Sequence, residues 1–336
     1  MKRTLSLLFI LSFITGGVTV AWVWHDMQTH LDTPIKITTP IPLTYTIKSG
    51  MNLTQIGQDL TQQGVLDHPY HFILEGRLQG SESRIKAGEY LLQQGITQRQ
   101  LLEQFVAGKV VQHFLTLIEG WSYMQMMNAV GDNATLLQTL PNTDGTTIMA
   151  ALGYPDVHPE GRFFPDTYHF PVGMTDIEFL HRAHVKMAHV LEKEWQQRDE
   201  GLPYKTSDEA LIMASIIEKE TAASRERTTI AGVFVRRLQK GMKLQTDPTV
   251  IYAMGEDYHG NIRHKDLKED SPYNTYLYAG LPPTPIALPG IEAIRAALHP
   301  EDGETLYFVA KGDGPHYFSK TLKEHNRAIT RHQLGK

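Results

Sequence analysis

The sequence predicts a mixed α+β chain in three parts: an N-terminal transmembrane helix, a small α/β module and a larger α+β domain. Three observations predict it. Residues 4–24 carry no charge, and these 21 residues at 1.5 Å rise reach about 30 Å, one hydrocarbon thickness. Residues 43–109 alternate short strand-like runs with short segments of helical period. From residue 110 onward, long helical stretches lead into a turn-rich region whose last strands lie near the end. A chain of 336 residues has room for about two globular domains. With 41% hydrophobic and 21% charged residues it is not disordered, collagen-like or of low complexity. A net charge of −5 lacks the basic excess of a nucleic-acid binder. The absence of Cys excludes a disulfide framework, a zinc–thiolate site and a catalytic thiol; it fits a reducing or an oxidising compartment alike.

Residues 1–3 form a short cytoplasmic end, because Lys2 and Arg3 are the only charges before His25. Trp22 and Trp24 sit where interfacial aromatics belong. A cleaved signal peptide is the rival reading, but the bulky Trp22-Val23-Trp24 stands where small residues are wanted. The rest of the chain is therefore expected outside the cytoplasm, in the periplasm. Residues 25–42 read as a tether, with Pro34, Pro40 and Pro42 and no helical apolar period.

Residues 43–109 form the small module. Residues 44–47 alternate like a strand, and residues 48–50 turn. Leu53, Ile56, Gly57 and Leu60 recur at helical spacing behind a cap at Asn52, and Gly64 ends that helix. A second helix is expected over about 70–78 and a strand over 85–92. A third helix spans 98–106, capped by Thr97 and closed by Gly108.

Residues 110–336 form the larger domain. A strand is expected over 110–118, a helix opening near Ser122, and a Pro- and aromatic-rich loop over 155–171. Helices follow over 176–198, 208–219 and 228–240, the last ending at Gly241; strands close the chain over 305–310 and 316–318.

Four segments could carry chemistry. The helix over 208–219 is apolar nearly all round from Ala210 to Ile217, so it is buried. Glu218 is the first charge after that run. Partial desolvation there would raise its pKa and suit a general acid; a solvated charged helix end reads the same way. Glu220 lies roughly 200° further round, so the two carboxyls cannot face one cleft. In Gln245-Thr246-Asp247-Pro248, proline biases Asp247 toward extended backbone. Gln245 and Asp247 could bond sugar hydroxyls or amides and Tyr252 could line the same groove, or the segment is a capped turn. Tyr273 and Asn274, with the proline-rich 280–289 stretch, could wall a groove or form a stiff surface loop. The aromatics between Phe163 and Phe170 could stack on sugars or build core, and His325 is a candidate polar partner. The 16 His include no His-x-x-x-His or His-Glu-x-x-His pair, and no Walker loop or Gly-x-Ser-x-Gly is present.

Taken together these segments resemble the YceG-like family of endolytic murein transglycosylases. The resemblance rests on Ala214-Ser215-Ile216-Ile217-Glu218-Lys219-Glu220, on 244–252, on Ser271-Pro272-Tyr273-Asn274-Thr275-Tyr276 with Gly280-Leu281-Pro282-Pro283, on Glu324-His325-Asn326 and on Phe164-Pro165-Asp166-Thr167-Tyr168. Their order and the N-terminal anchor fit the family. Thr284 and Leu288 depart from residues often Gly and Asn there, which touches groove shape rather than chemistry.

The resemblance implies a LysM-like module at 43–109, a catalytic domain at 110–336 and peptidoglycan glycan strands as substrate. It implies Glu218 as catalytic acid, with no metal or cofactor. Gln245, Asp247, Tyr252, Tyr273 and Asn274 are then expected to hold substrate. One carboxyl suffices, because the substrate's own 6-hydroxyl attacks and leaves a 1,6-anhydro-MurNAc end. Two alternatives are a muramidase-type hydrolase with Asp247 as second carboxylate, and a non-enzymatic glycan-binding scaffold. Resemblance and membrane location together suggest peptidoglycan polymerases as partners.

Overall fold

The computed structural model describes residues 2–36, 43–312 and 315–332, residues 2–13 by backbone alone. The chain divides into two compact units, one of residues 1–113 with 169–173, the other of residues 114–168 with 174–336.

The first unit opens with α1 (Lys2–Asp32). The sequence reading ended this helix at Trp24, but it runs eight residues further. The cause is one apolar pair at i, i+4 spacing. Met27 and Leu31 are buried, and the end of α1 packs on two later helices, α3 and α4 (Tyr70–Leu78 and Gln98–Ala107). Two residues are too few to show as a sequence period. Arg99 secures the contact, donating to Asp32 Oδ1 at 2.9 Å, to Gln28 Oε1 at 2.6 Å and to Glu75. Pro40 and Pro42 of the expected tether lie outside the described residues. Among the described residues no helix is long and apolar enough to cross a membrane.

The rest of this unit is a two-stranded antiparallel sheet around helices. β1 (Leu43–Ile47) pairs with β2 (Gly88–Leu92), Leu43 opposite Leu92 and Ile47 opposite Gly88. Between them run α2 (Leu53–Gln62) and α3. Gly88 adopts φ +144, and a Cβ there would collide with Val110, which accounts for the glycine inside the strand. Asn52 and Thr97 each close a capping box, with Gln55 and Gln100. Tyr45, Leu53, Ile56, Phe72, Tyr90 and Phe105 form the fully buried centre.

β3 (His113–Thr116) and β4 (Thr167–Phe170) lie where the chain passes between the units. The second unit contains α5 (Tyr123–Gly131), α6 (Gly145–Ala151), α7 (Asp176–Gln196), α8 (Ser207–Glu220), α9 (Arg227–Gln239), α10 (Asp247–Met254) and α11 (Ile291–Leu298). It ends with β5 (Tyr307–Ala310), β6 (His316–Ser319) and α12 (Leu322–His332). Its core is built on α8, whose residues from Ala210 to Ile217 are all buried. α7, α9 and α11 pack around it. Ser215 is tolerated there because its hydroxyl donates to Ile212 O and accepts from Ile286 N–H. Thr206 caps α8 through Glu209 N–H, while Glu209 accepts from Lys205 N–H instead of completing a box. β5 and β6 form an antiparallel hairpin, Tyr307 opposite Ser319, and α12 packs on it.

Four helices were not foreseen: α6, α10, α11 and α12. α6, α10 and α12 bury only one or two residues each, and α11, which buries five, is a single short run of eight residues. α10 also corrects the expected loop at Asp247. Pro248 sits in the helix's first turn, where its missing N–H would lack a partner anyway, so Asp247 opens a helix.

Candidate active site

The C-terminal turn of α8 presents two carboxyls to two different surroundings. Helical rotation separates them, as their spacing requires.

The Glu218 side chain is 5% exposed. Its Oε1 accepts from Arg227 Nη2 at 2.9 Å, and its Oε2 accepts from Gly290 N–H at 2.9 Å. The Glu119 carboxyl reaches the same guanidinium group at 4.0 Å. A Cβ at Gly290 would collide with Glu119, so glycine there allows the backbone N–H to approach. The segment carrying Glu119 is tied down on both sides. Gly120 N–H donates to Leu288 O at 2.8 Å, Leu288 N–H to Trp121 O at 2.7 Å, and Lys219 Nζ to Gly120 O at 3.1 Å. Burial raises the Glu218 pKa; Gly290 N–H and Arg227 oppose that rise, and Glu119 adds to it.

Glu220 faces a pocket of about 490 Å³, within the ~300–1,000 Å³ of small-molecule sites. Its walls come from Arg237 on α9, Gln245 and Asp247, Tyr276, the β5–β6 hairpin with Tyr307 and His316, and α12 with His325 and Asn326. Glu220 Oε2 accepts from the Thr246 hydroxyl at 2.6 Å. Burial pushes its pKa up, and the Asp247 charge adds to the rise, while Thr246, His316 and Arg237 oppose it. Tyr276 donates to Asp247 Oδ1 at 2.6 Å. Gln245 has φ +53, the only non-glycine with positive φ among the described residues. Arg237 holds that turn by donating to Lys243 O, Leu244 O and, at 3.4 Å, Gln245 Oε1. Strained backbone of this kind concentrates at functional sites. The His325 ring stacks on Tyr307 at 5.2 Å, and its buried Nδ1 has no hydrogen-bond partner among the described residues. Burial and Arg237 lower the His325 pKa, favouring the neutral ring.

A third carboxyl in this unit also has a raised pKa. Glu160 is 3% exposed. It accepts from Tyr123 N–H at 2.9 Å and from the Tyr252 hydroxyl at 3.1 Å. Burial pushes its pKa up to about 7. Tyr252 packs on Tyr273 with centroids 4.9 Å apart, and Tyr273 meets the Thr284 hydroxyl at 2.8 Å.

The residues expected from sequence thus fall into separate places. Gln245 and Asp247 share a pocket with Glu220, and it is Glu220 rather than Glu218 that lines it. Tyr252 and Tyr273 join Glu160. Asn274 is buried; its amide donates to Leu267 O and Glu269 O and accepts from Tyr276 N–H, so it shapes the loop that delivers Tyr276. His325 lines the Glu220 pocket. Sequence reasoning passed over Tyr276, although it ends a segment already singled out, and passed over Arg237 and Glu160. Phe163, Phe164, Tyr168 and Phe170 are buried and build core.

The YceG-like family matches residues 45–331. A Bacillus subtilis (strain 168) protein named endolytic murein transglycosylase is 34% identical over 313 residues, covering 88% of this chain and 86% of the relative. A protein of the same name from Streptococcus pneumoniae (serotype 2 strain D39) is 28% identical over 365 aligned residues, covering 98% of this chain and 66% of the relative. The crystal structure of a YceG-like protein from Listeria monocytogenes superposes with a TM-score of 0.56 at 32% identity, covering 85% of this chain and 98% of that one.

Proposed function

This chain belongs to the YceG-like family, and on that premise we infer that it is an endolytic lytic transglycosylase. It cleaves the MurNAc–GlcNAc bond within peptidoglycan glycan strands and leaves a 1,6-anhydro-MurNAc end. The observation that carries the assignment of roles is Glu220, a half-buried carboxyl with raised pKa that lines a polar pocket of about 490 Å³. A raised pKa holds the proton on the carboxyl to higher pH, which suits a general acid.

In this reading Glu220 gives its proton to the bridging oxygen. The bond from that oxygen to MurNAc C1 breaks, and positive charge grows on C1. The Asp247 carboxylate, fixed by Tyr276, stabilises that charge. The 6-hydroxyl of the same MurNAc attacks C1 and passes its proton to Glu220, which restores the acid without consuming water. Holding nucleophile and electrophile in one sugar supplies the proximity advantage. Gln245 and the neutral His325 offer polar contacts for hydroxyl and acetamido groups, and Tyr252 and Tyr273 support an adjoining wall.

Glu218, the acid expected from sequence, is the second reading, and its own raised pKa favours it. Against it, both of its oxygens are already held, by Arg227 and Gly290. A hydrolase is favoured only by Asp247, which gives the Glu220 pocket a second carboxylate. Mass spectrometry of products from uncrosslinked glycan strands decides among these. Anhydro ends that persist in Glu218→Gln and vanish in Glu220→Gln support the reading. The opposite pattern makes Glu218 the acid, and ends heavier by one water mean a hydrolase.

We further propose that residues 4–24 anchor the chain in the plasma membrane and that the catalytic unit is extracytoplasmic. The uncharged run, Lys2 and Arg3 before it, and the exposed Trp22 and Trp24 at its far end support this. The order strand–helix–helix–strand over β1, α2, α3 and β2 supports a LysM-like glycan-binding role for 43–109. A membrane-held enzyme acting on new strands would work beside peptidoglycan polymerases.

A further inference from the structure

We propose that Asp26, His30 and His71 form a binding site for a divalent transition-metal ion of the Zn2+ class, which staples the end of α1 to α3. Asp26 and His30 stand one turn apart on α1, and His71 is the second residue of α3. One ligand atom from each lies within 4.8 Å of the others. His30 Nδ1 is 3.6 Å from Asp26 Oδ1, and His71 Nε2 is 3.7 Å from Asp26 Oδ2. These separations are too long for hydrogen bonds. They approach the spacing of donors around a shared ion, since two ligands each about 2.0–2.1 Å from a tetrahedral Zn2+ stand about 3.4 Å apart. The two imidazole rings stack with centroids 4.7 Å apart, which holds both rings beside the Asp26 carboxyl.

Imidazole with carboxylate suits zinc, nickel and copper better than calcium or magnesium. Asp26 and His71 are part-buried and His30 is exposed, so an ion can enter from solvent. The fourth position falls to His68, close enough to His71 to act on it electrostatically, or to water. His30 Nδ1 also lies 3.0 Å from Asp26 O, and metal capture exchanges that local contact for a coordinate bond. The ion would cross-link segments about 40 residues apart, a clip that restricts the unfolded chain. It would fix the module against the helix that leads to the proposed anchor. The site shares no residue with the α8 carboxyls, so it stands or falls independently of the catalytic reading.

The test is titration of Zn2+ into untagged full-length protein, purified in detergent and stripped with chelator. The expected result is one tight equivalent per chain and a rise in thermal midpoint. His71→Gln and His30→Gln should each weaken binding more than ~100-fold, because losing even a residue that supports a ligand costs about 10–100-fold. Both variants should keep the metal-free midpoint and the glycan-cleaving rate. Failure to bind a stoichiometric ion, or tight binding that survives both substitutions, overturns the proposal.

Discussion

The two carboxyls at the end of α8 share a helix turn and a raised pKa, yet their surroundings differ in kind. Around Glu218 each carboxyl oxygen accepts one hydrogen bond, from a guanidinium and from a backbone N–H. Around Glu220 there are one hydroxyl donor, a second carboxylate, Arg237 and His316, and a pocket. Burial raises the proton affinity of both. Only a carboxyl with an open side can deliver that proton to a ligand. The difference teaches that a raised pKa by itself does not choose between two acids on one helix turn, and that what each faces must be weighed beside it.

The largest expected effect breaks the comparison if it fails. Glu220→Gln should cut the rate of glycan cleavage by about 10²–10⁴-fold, with Glu218→Gln retaining most activity in the same assay. Wild-type cleavage should also decline as pH rises through the elevated Glu220 pKa, because the acid must start protonated.

The next effect falls on stability. Arg227→Ala leaves Glu218 buried without its cation and should cost about 3–5 kcal/mol in urea denaturation. Replacing Arg227 and Glu218 together by Met and Leu should recover most of that loss. A negligible cost for Arg227→Ala would show that the Glu218 face is not the held one.

Glu160 sharpens the contrast through pH. Its folded pKa of about 7 exceeds its unfolded value near 4.5. The stability it contributes is therefore fully present below pH 4.5 and lost as pH rises to about 7. The loss is on the order of 3 kcal/mol. Glu160→Gln should remove that slope, so the variant gains on wild type at pH 8 relative to pH 4.5. Equal slopes in the two proteins would exclude Glu160 as the titrating group.

The smallest effect is Tyr276→Phe. It removes one hydrogen bond to a carboxylate, worth about 1.5–3 kcal/mol. The expected reading is a roughly tenfold or larger loss of kcat/KM with the thermal midpoint little changed.

Much of the architecture was legible in the sequence, for local reasons. Asn52, Thr97, Ser122 and Thr206 mark helix starts because a side-chain oxygen satisfies a backbone donor within three residues. The buried character of α8 follows from an apolar run with no polar face. The segments containing Glu220, Gln245, Asp247, Tyr276 and His325 were all singled out, and periodicity showed that Glu218 and Glu220 point apart.

Which of those two carboxyls meets Gln245 and Asp247 was decided only by tertiary structure. That pairing depends on how α9, the 244–247 turn and the β5–β6 hairpin pack around α8, and nothing within a few residues of either glutamate encodes it. The same holds for Asp26, His30 and His71. Their proximity arises because Met27 and Leu31 dock the end of α1 beside α3, a contact carried by two apolar residues and therefore invisible as a pattern. Local chemistry determined which residues could act; long-range packing chose which of them share a site.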